Sequence, residues 1–339
     1  WIPKLNAPVI LKSSSEYTPE VNAIGHFPGS NYPVLIKDIN HFITHNTAIL
    51  GILGIGKSML AIELVERMIA ENIKVICIDL TNQYANELSE YINVQEEEKI
   101  QKKIQDIGVK GKEVCCQNVE EGGSVKQFAS AIKDDLKKFI LADRQYMLQI
   151  YNPSKFEVWR QVSKPYNQQA SMASLTPPEI TQIISEVALE IAQELGMTDR
   201  ARICLVYEEA HSLVPEWNSV VAEGDKAATN GTARAILQGR KYGLGCLLIT
   251  QRTANVTKTI LNQCNTIFAM RTFDDTGKDF LSNYIGSDYA EILPSLQERH
   301  AVFFGKASSC DNPVLIRLND RDVFKQIFRE KYPPRENQN

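Results

Sequence analysis

Short, mainly apolar segments recur along this chain at 47–50, 73–80, 201–207, 245–250, 266–271, 301–305 and 314–318. Mainly apolar runs of this length predict strands, and the run 73–80 one covered on both faces, as in a parallel sheet. Weaker strand signals at 21–25 and 33–37 precede them. Between the runs, apolar residues return at helical spacing. Leu60, Leu64, Met68 and Ile69, with Val65 beside them, predict a helix over 57–72, and Ile180, Ile183, Ile184, Val187, Ile191 and Leu195 form one stripe of another. That second helix carries its own start signal. Thr176 is a fitting N-cap, Pro177 and Pro178 suit the first turn, Glu179 completes a capping box, and Gly196 is the stop. Further helices are expected over 226–241 and 274–285.

Alternating strands and helices predict an α/β domain over 46–325, mainly a parallel sheet with helices on both faces. A polar, charge-rich, mostly helical insertion occupies 86–145. Its run 96–103 reads as a solvated face and 125–141 as a helix. Segments 146–151 and 156–162 admit strands in a stretch that otherwise reads as loop. Residues 1–45 are expected to be lead-in strands, a remnant after a missing β-barrel domain, and 326–339 a C-terminal tail, disordered over 332–339. The chain opens on Trp1 and not on Met, which fits a fragment.

Composition narrows the classes. A chain of 339 residues that is 43% apolar can fill one large core. Its net charge of -4 supplies no global field toward nucleic acid or anionic lipid, so any DNA contact must come from local basic loops. No apolar run is long enough for a spanning helix and the N-terminus lacks a signal-peptide layout, so no membrane association is expected. The seven cysteines form no C-x-x-C pair. They read as free thiols of a reducing, cytoplasmic compartment, and adjacent Cys115 and Cys116 have no His or Cys nearby to complete a metal site.

The chemistry is concentrated at 51–58, Gly-Ile-Leu-Gly-Ile-Gly-Lys-Ser, which fits G-x-x-x-x-G-K-[ST] between a predicted strand and a predicted helix. Such a turn gathers unpaired N–H groups at the positive end of a helix and attracts phosphate. ATP is therefore expected on Gly51, Ile52, Leu53, Gly54, Ile55, Gly56, Lys57, Ser58 and Met59, with Lys57 on the β and γ phosphates and the Ser58 hydroxyl on Mg²⁺. A second constellation ends the run 201–207 in two carboxylates. Glu208 is placed as the Mg²⁺ carboxylate and Glu209 as the group that polarises the attacking water; the alternative is two exposed glutamates opening a loop.

Five motifs in order then resemble the HerA branch of the HerA/FtsK motor ATPases: 79–84 (Asp-Leu-Thr-Asn-Gln-Tyr), Glu208-Glu209-Ala210-His211, 239–245 (Gly-Arg-Lys-Tyr-Gly-Leu-Gly), the strand 247–252 (Leu-Leu-Ile-Thr-Gln-Arg), and 259–266 (Thr-Ile-Leu-Asn-Gln-Cys-Asn-Thr). The resemblance covers about 20–320. It implies a RecA-like P-loop NTPase core that assembles as a homo-hexamer and moves double-stranded DNA through a pore, with a nuclease or other effector subunit as partner. By motif position it implies Arg240 as the catalytic arginine, Gln251 as the γ-phosphate sensor, and Asp79 at the end of the second strand as part of the nucleotide site. Arg271 is open between catalysis and an ion pair with Asp274 or Asp275. The chain departs from the family at four places. Glu208 replaces Asp, Gln83 replaces Glu, the phosphate loop lacks its Thr-Gly-Ser-Gly run, and His45 and Asn46 stand where a trans-acting arginine can precede the loop. Pore loops are expected over 151–170 (Lys155, Arg160, Lys164) and 212–231 (Trp217, Lys226). A second class of function, an ATP-binding hexameric scaffold that regulates an effector in an antiphage assembly, is compatible with the same motifs; a secretion or conjugation ATPase would bring a membrane segment or docking region that the sequence does not show.

Overall fold

The computed structural model describes residues 21–30, 32–117, 123–142, 146–162, 171–219 and 223–333. In chain order these form β1 (Ala23–His26), β2 (Pro33–Leu35), α1 (Asn40–Thr44), β3 (Thr47–Leu50), α2 (Lys57–Ala70), β4 (Lys74–Ile78), α3 (Gln83–Glu87), α4 (Val94–Gln117), α5 (Val125–Leu141), β5 (Leu148–Tyr151), β6 (Trp159–Val162) and β7 (Ser171–Ser174). The second half adds α6 (Pro177–Glu194), β8 (Thr198–Tyr207), α7 (Ala210–Leu213), α8 (Glu223–Gly239), β9 (Tyr242–Thr250), α9 (Lys258–Leu261), β10 (Thr266–Ala269), α10 (Asp275–Ile285), α11 (Ser287–Ile292), β11 (His300–Phe304), β12 (Val314–Leu318) and α12 (Arg321–Lys331).

Ten strands make one sheet in the order β2-β1-β12-β11-β10-β3-β9-β8-β4-β5. The six from β10 to β5 run parallel, and the four at the other edge are antiparallel. Every residue of β3 and β4 is buried, as their mainly apolar sequences lead one to expect of strands covered on both sides. One core lies between the sheet and α5, α6 and α8, and holds Phe128, Leu136, Ile184 and Ile236. The other lies under α1 and α2, and holds Phe42, Leu60, Leu64 and Met68. The α6 start forms as its sequence dictates, with Thr176 Oγ1 accepting from Glu179 N and the Glu179 carboxylate accepting from Thr176 N.

Three boundaries differ from expectation. β1 and β2 are not a separate lead-in: Gly25 pairs with Leu318 of β12, so they extend the main sheet and no boundary falls at 45/46. The limit at 325/326 falls inside α12. That helix docks because Phe324 and Phe328, one turn apart, stack beneath the Arg67 guanidinium, and because Arg321 pairs with the fully buried Glu66. Third, 159–162 is indeed a strand, but it pairs only with β7, in a hairpin outside the main sheet. Residues 1–20, Lys164, the tail 334–339 and the side chains of Cys115 and Cys116 lie outside the described part. Among the described residues no helix is long and apolar enough to cross a membrane, and the strand cysteines Cys77, Cys204 and Cys246 are buried and free.

Candidate functional site: a phosphate loop facing two strand-end glutamates

All the parallel strands end at one edge, and the phosphate loop leaves β3 there. Gly51 N donates to Thr250 O at the end of β9 (3.3 Å), Ile52 N to Arg271 O just past β10 (2.8 Å), and Arg299 N to Ile55 O (3.1 Å). The loop is thus pinned on three sides. A Cβ at Gly51 would stand 2.7 Å from Met270 Cβ, and Gly56 holds φ +100°, which a side chain disfavours. The apolar residues of the loop divide the work: Ile55 is buried in the core beneath it, while Leu53 is 77% exposed and Met59 50% exposed. The first intrahelical bond of α2 runs from Leu60 N to Gly56 O, so the amides of Lys57, Ser58 and Met59 precede the helical ladder.

Lys57 is 7% exposed, and its Nζ donates to Ile52 O at 2.7 Å. It makes no ion pair among the described residues. Burial lowers its pKa, and Glu209 and Glu208 oppose that shift. A buried cation stabilised only by a carbonyl and distant carboxylates favours the approach of an anion.

Glu208 and Glu209 stand where β8 ends, two strands from β3. Glu208 is 3% exposed and accepts from the Tyr84 hydroxyl at 2.8 Å. Its pKa is pushed up to about 7, by burial first, with Asp79 and Glu209 adding to the shift. Glu209 adopts the left-handed conformation (φ 57°, ψ 51°), uncommon for a side-chain-bearing residue. That turn directs its carboxylate toward β9, where Gln251 Nε2 donates to Oε1 at 3.4 Å. Its Oε2 lies 3.2 Å from His211 Nδ1, without hydrogen-bond alignment, and is a buried acceptor with no hydrogen bond. Burial raises the Glu209 pKa against Lys57 and Arg252, and burial, Arg252 and Lys57 lower that of His211. A cation would suit this pair. Among the described residues no three His, Cys, Asp or Glu side chains converge as a metal cage. Mg²⁺ here would therefore depend on Ser58, Glu208 and the oxygens of a bound phosphate, as is usual for this hard ion.

Four expectations change. Asp79 is fully buried, and its carboxylate accepts from Thr81 N and Thr81 Oγ1 (both 2.6 Å) and from Tyr84 N (3.4 Å). It shapes the turn that brings Tyr84 to Glu208, and its carboxylate is committed to those donors. Arg240 lies at the start of β9, at the other end of the sheet from the loop. Its guanidinium donates to His45 Nε2 at 3.0 Å, so at least the length of β3, roughly 13 Å at the usual rise, lies between it and the loop. It cannot reach the phosphate loop of its own chain. Arg271 does not pair with Asp274 or Asp275, since its Nε donates to Leu296 O, Asp274 caps α10, and Asp275 pairs with Lys278. Arg160, expected in a pore loop, is ion-paired to Glu179 at 2.9 Å; Lys155, Lys226 and Trp217 are exposed.

Sequence reasoning passed over Tyr84 and Arg252, though both lay inside segments it singled out. Arg299, whose amide holds the loop and whose guanidinium pairs with Asp320, had no signal in its own neighbourhood.

Comparison with known proteins agrees with this geometry. The family model described as "Helicase HerA, central domain" matches residues 21–120. Over residues 21–120 the chain is thus similar to the central domain of HerA helicases. A probable helicase of Methanocaldococcus jannaschii is 32% identical over 92 residues, covering 26% of this chain and 17% of that protein. The DNA double-strand break repair helicase HerA of Pyrococcus furiosus is 29% identical over 128 residues, covering 37% of this chain and 21% of that protein. The chain thus spans well under two thirds of these relatives. VirB4 of Thermoanaerobacter pseudethanolicus superposes with a TM-score of 0.50 at 13% identity, over 91% of this chain and 98% of that one, a likeness of fold. The sheet order and the loop at its parallel edge are those of a RecA-like P-loop core.

Proposed function

We propose that this chain is the ATP-hydrolysing core of a ring motor that moves double-stranded DNA in company with a nuclease or other effector subunit. One observation carries the reading: at the same edge of the sheet, past the ends of β3 and β8, a buried lysine with no ion pair among the described residues and a buried glutamate oxygen with no hydrogen bond accompany the amides that open α2.

In this reading the loop amides and Lys57 bind the β and γ phosphates, and Ser58 and Glu208 hold Mg²⁺, which neutralises charge between those phosphates when bound. Tyr84 fixes the Glu208 arm, which is one methylene longer than the family's Asp. Glu209 orients and deprotonates water as it attacks the γ phosphate, and Gln251, bonded to the same carboxylate, reports whether that phosphate is present. Arg240 serves the site of an adjacent copy, because its own loop is out of reach. A cation placed there meets charge that develops in the transition state. The HerA relative is named for a helicase role in double-strand break repair, which supports DNA as the substrate.

ATP turnover by the purified chain, alone and with blunt duplex DNA across a salt series, tests this. Duplex should stimulate turnover several-fold at low salt and the stimulation should fade as salt rises. Turnover that is indifferent to DNA but changed by an effector would instead favour the scaffold role.

A further inference from the structure

At the end of the sheet away from the phosphate loop, His45 sits between two cations. Its Nε2 lies 3.0 Å from an Arg240 guanidinium nitrogen and 3.3 Å from Lys306 Nζ. Both neighbours are donors only, so Nε2 must be the acceptor and the ring proton must be on Nδ1. That assignment is consistent with what surrounds the ring: Nδ1 is 3.0 Å from Thr44 Oγ1, whose hydroxyl donates in turn to Asn40 O at 2.9 Å. One in-plane lone pair cannot satisfy two cationic donors. The remaining N–H groups of both are left for another acceptor, and neither cation is ion-paired to a carboxylate among the described residues.

Arg240 stands between two clefts. The larger, about 590 Å³, also carries Asp38, Glu71, Asp199 and Arg200, so carboxylates outnumber guanidiniums there and disfavour an anion. The smaller, about 230 Å³, is lined by His45, Asn46, Arg240, Asn262, Gln263 and Tyr284 among others and contains no carboxylate. An anion is expected from that side.

We propose that Arg240 and Lys306, held together on the imidazole of His45, form a two-cation site for the terminal phosphates of the nucleotide bound by an adjacent copy of the chain. This rests on the ATPase reading above and adds to it a second cation and the group that positions both. Charge complementarity selects the occupant. The nucleotide is the strongest anion that a neighbour's loop edge would present, and a head-to-tail contact puts the loop edge of one copy against this end of the next. Burial, Arg240 and Lys306 lower the His45 pKa to about 4, so the ring stays neutral and does not add a third repelling charge at neutral pH. The strand β3 alone, roughly 13 Å long, keeps the pair away from its own loop.

Mixing variants tests the arrangement. Lys306→Ala should lower saturated ATP turnover by about tenfold or more while ATP affinity stays within about twofold, as expected of charge used mainly in the transition state. Mixed with a Lys57→Ala chain, which keeps Lys306 but cannot bind ATP, it should regain part of that turnover, because some intact loops then meet an intact Lys306. His45→Gln, whose amide oxygen can still accept, should keep more turnover than His45→Ala. Separately, inorganic triphosphate titrated into Lys57→Ala should bind, and the added Lys306→Ala change should weaken that binding about tenfold. Wild-type turnover unaffected by Lys306→Ala, or lost without recovery on mixing, would overturn the proposal. Triphosphate binding that depends on Lys306 in a chain with no ATPase activity would keep the anion site and reject the functional reading.

Discussion

The two glutamates at the end of β8 show how one residue's backbone changes what its neighbour can do. Glu208 continues the strand and is drawn inward to Tyr84, whereas Glu209 turns left-handed and faces Gln251 and the loop edge. Consecutive carboxylates therefore acquire different surroundings without any difference in side chain. Glu209→Gln keeps the shape and the contact with Gln251 but cannot take a proton. ATP affinity should stay within a few-fold of wild type while single-turnover hydrolysis falls about 100-fold or more. Hydrolysis retained within about twofold would shift the role to Glu208.

At the scale of elements, the insertion α4–α5 carries a polar patch against the end strand of the sheet. Glu97 of α4 accepts from Ile150 N at 3.2 Å, and Asp135 of α5 accepts from the Tyr151 hydroxyl at 2.5 Å. Burial, then Asp135, pushes the Glu97 pKa up to about 7 against the Ile150 hydrogen bond and Lys155. Because the folded state holds this proton more tightly than the unfolded chain, stability is greatest below about 4.5 and declines as pH rises through about 7. Glu97→Gln should remove that part of the slope. The gap between urea midpoints at pH 5 and pH 8 should shrink by an amount worth about 1–2 kcal/mol after allowance for solvent. Asp135, whose pKa burial also raises, should leave a residual slope of the same sign. An unchanged gap would mean that Glu97 is solvated in both states.

For the whole molecule, one fact dominates: the loop and glutamates lie at one end of the parallel strands, and Arg240 and Lys306 at the other. In the reading proposed above, a monomer with this layout has an incomplete site and head-to-tail closure would complete each copy with its neighbour. Mass photometry at micromolar concentration, with a non-hydrolysable ATP analogue and Mg²⁺, should show hexamers that dissociate, wholly or in part, when the nucleotide is withdrawn. A monomer in every condition, including with duplex DNA and an effector, would refute the ring and with it the role of Arg240.

The sequence by itself determined the local parts. The phosphate loop, the α6 capping box, the buried parallel strands and the two strand-end glutamates are each written in adjacent residues, because propensity, capping and apolar run length act over a few positions. It also marked Arg240, but not where Arg240 would be. Only the tertiary structure decided that Asp79 would hold a turn, that Arg160 would be spent on Glu179, that β1 and β2 would join the main sheet, and that α12 would dock on α2. Apart from the Asp79 turn, whose donors lie within five residues, each of those depends on partners many residues away. The same holds for His45 and Lys306, separated by 261 positions: no local pattern could announce that meeting, because strand order alone places the turn before β3 beside the turn after β11.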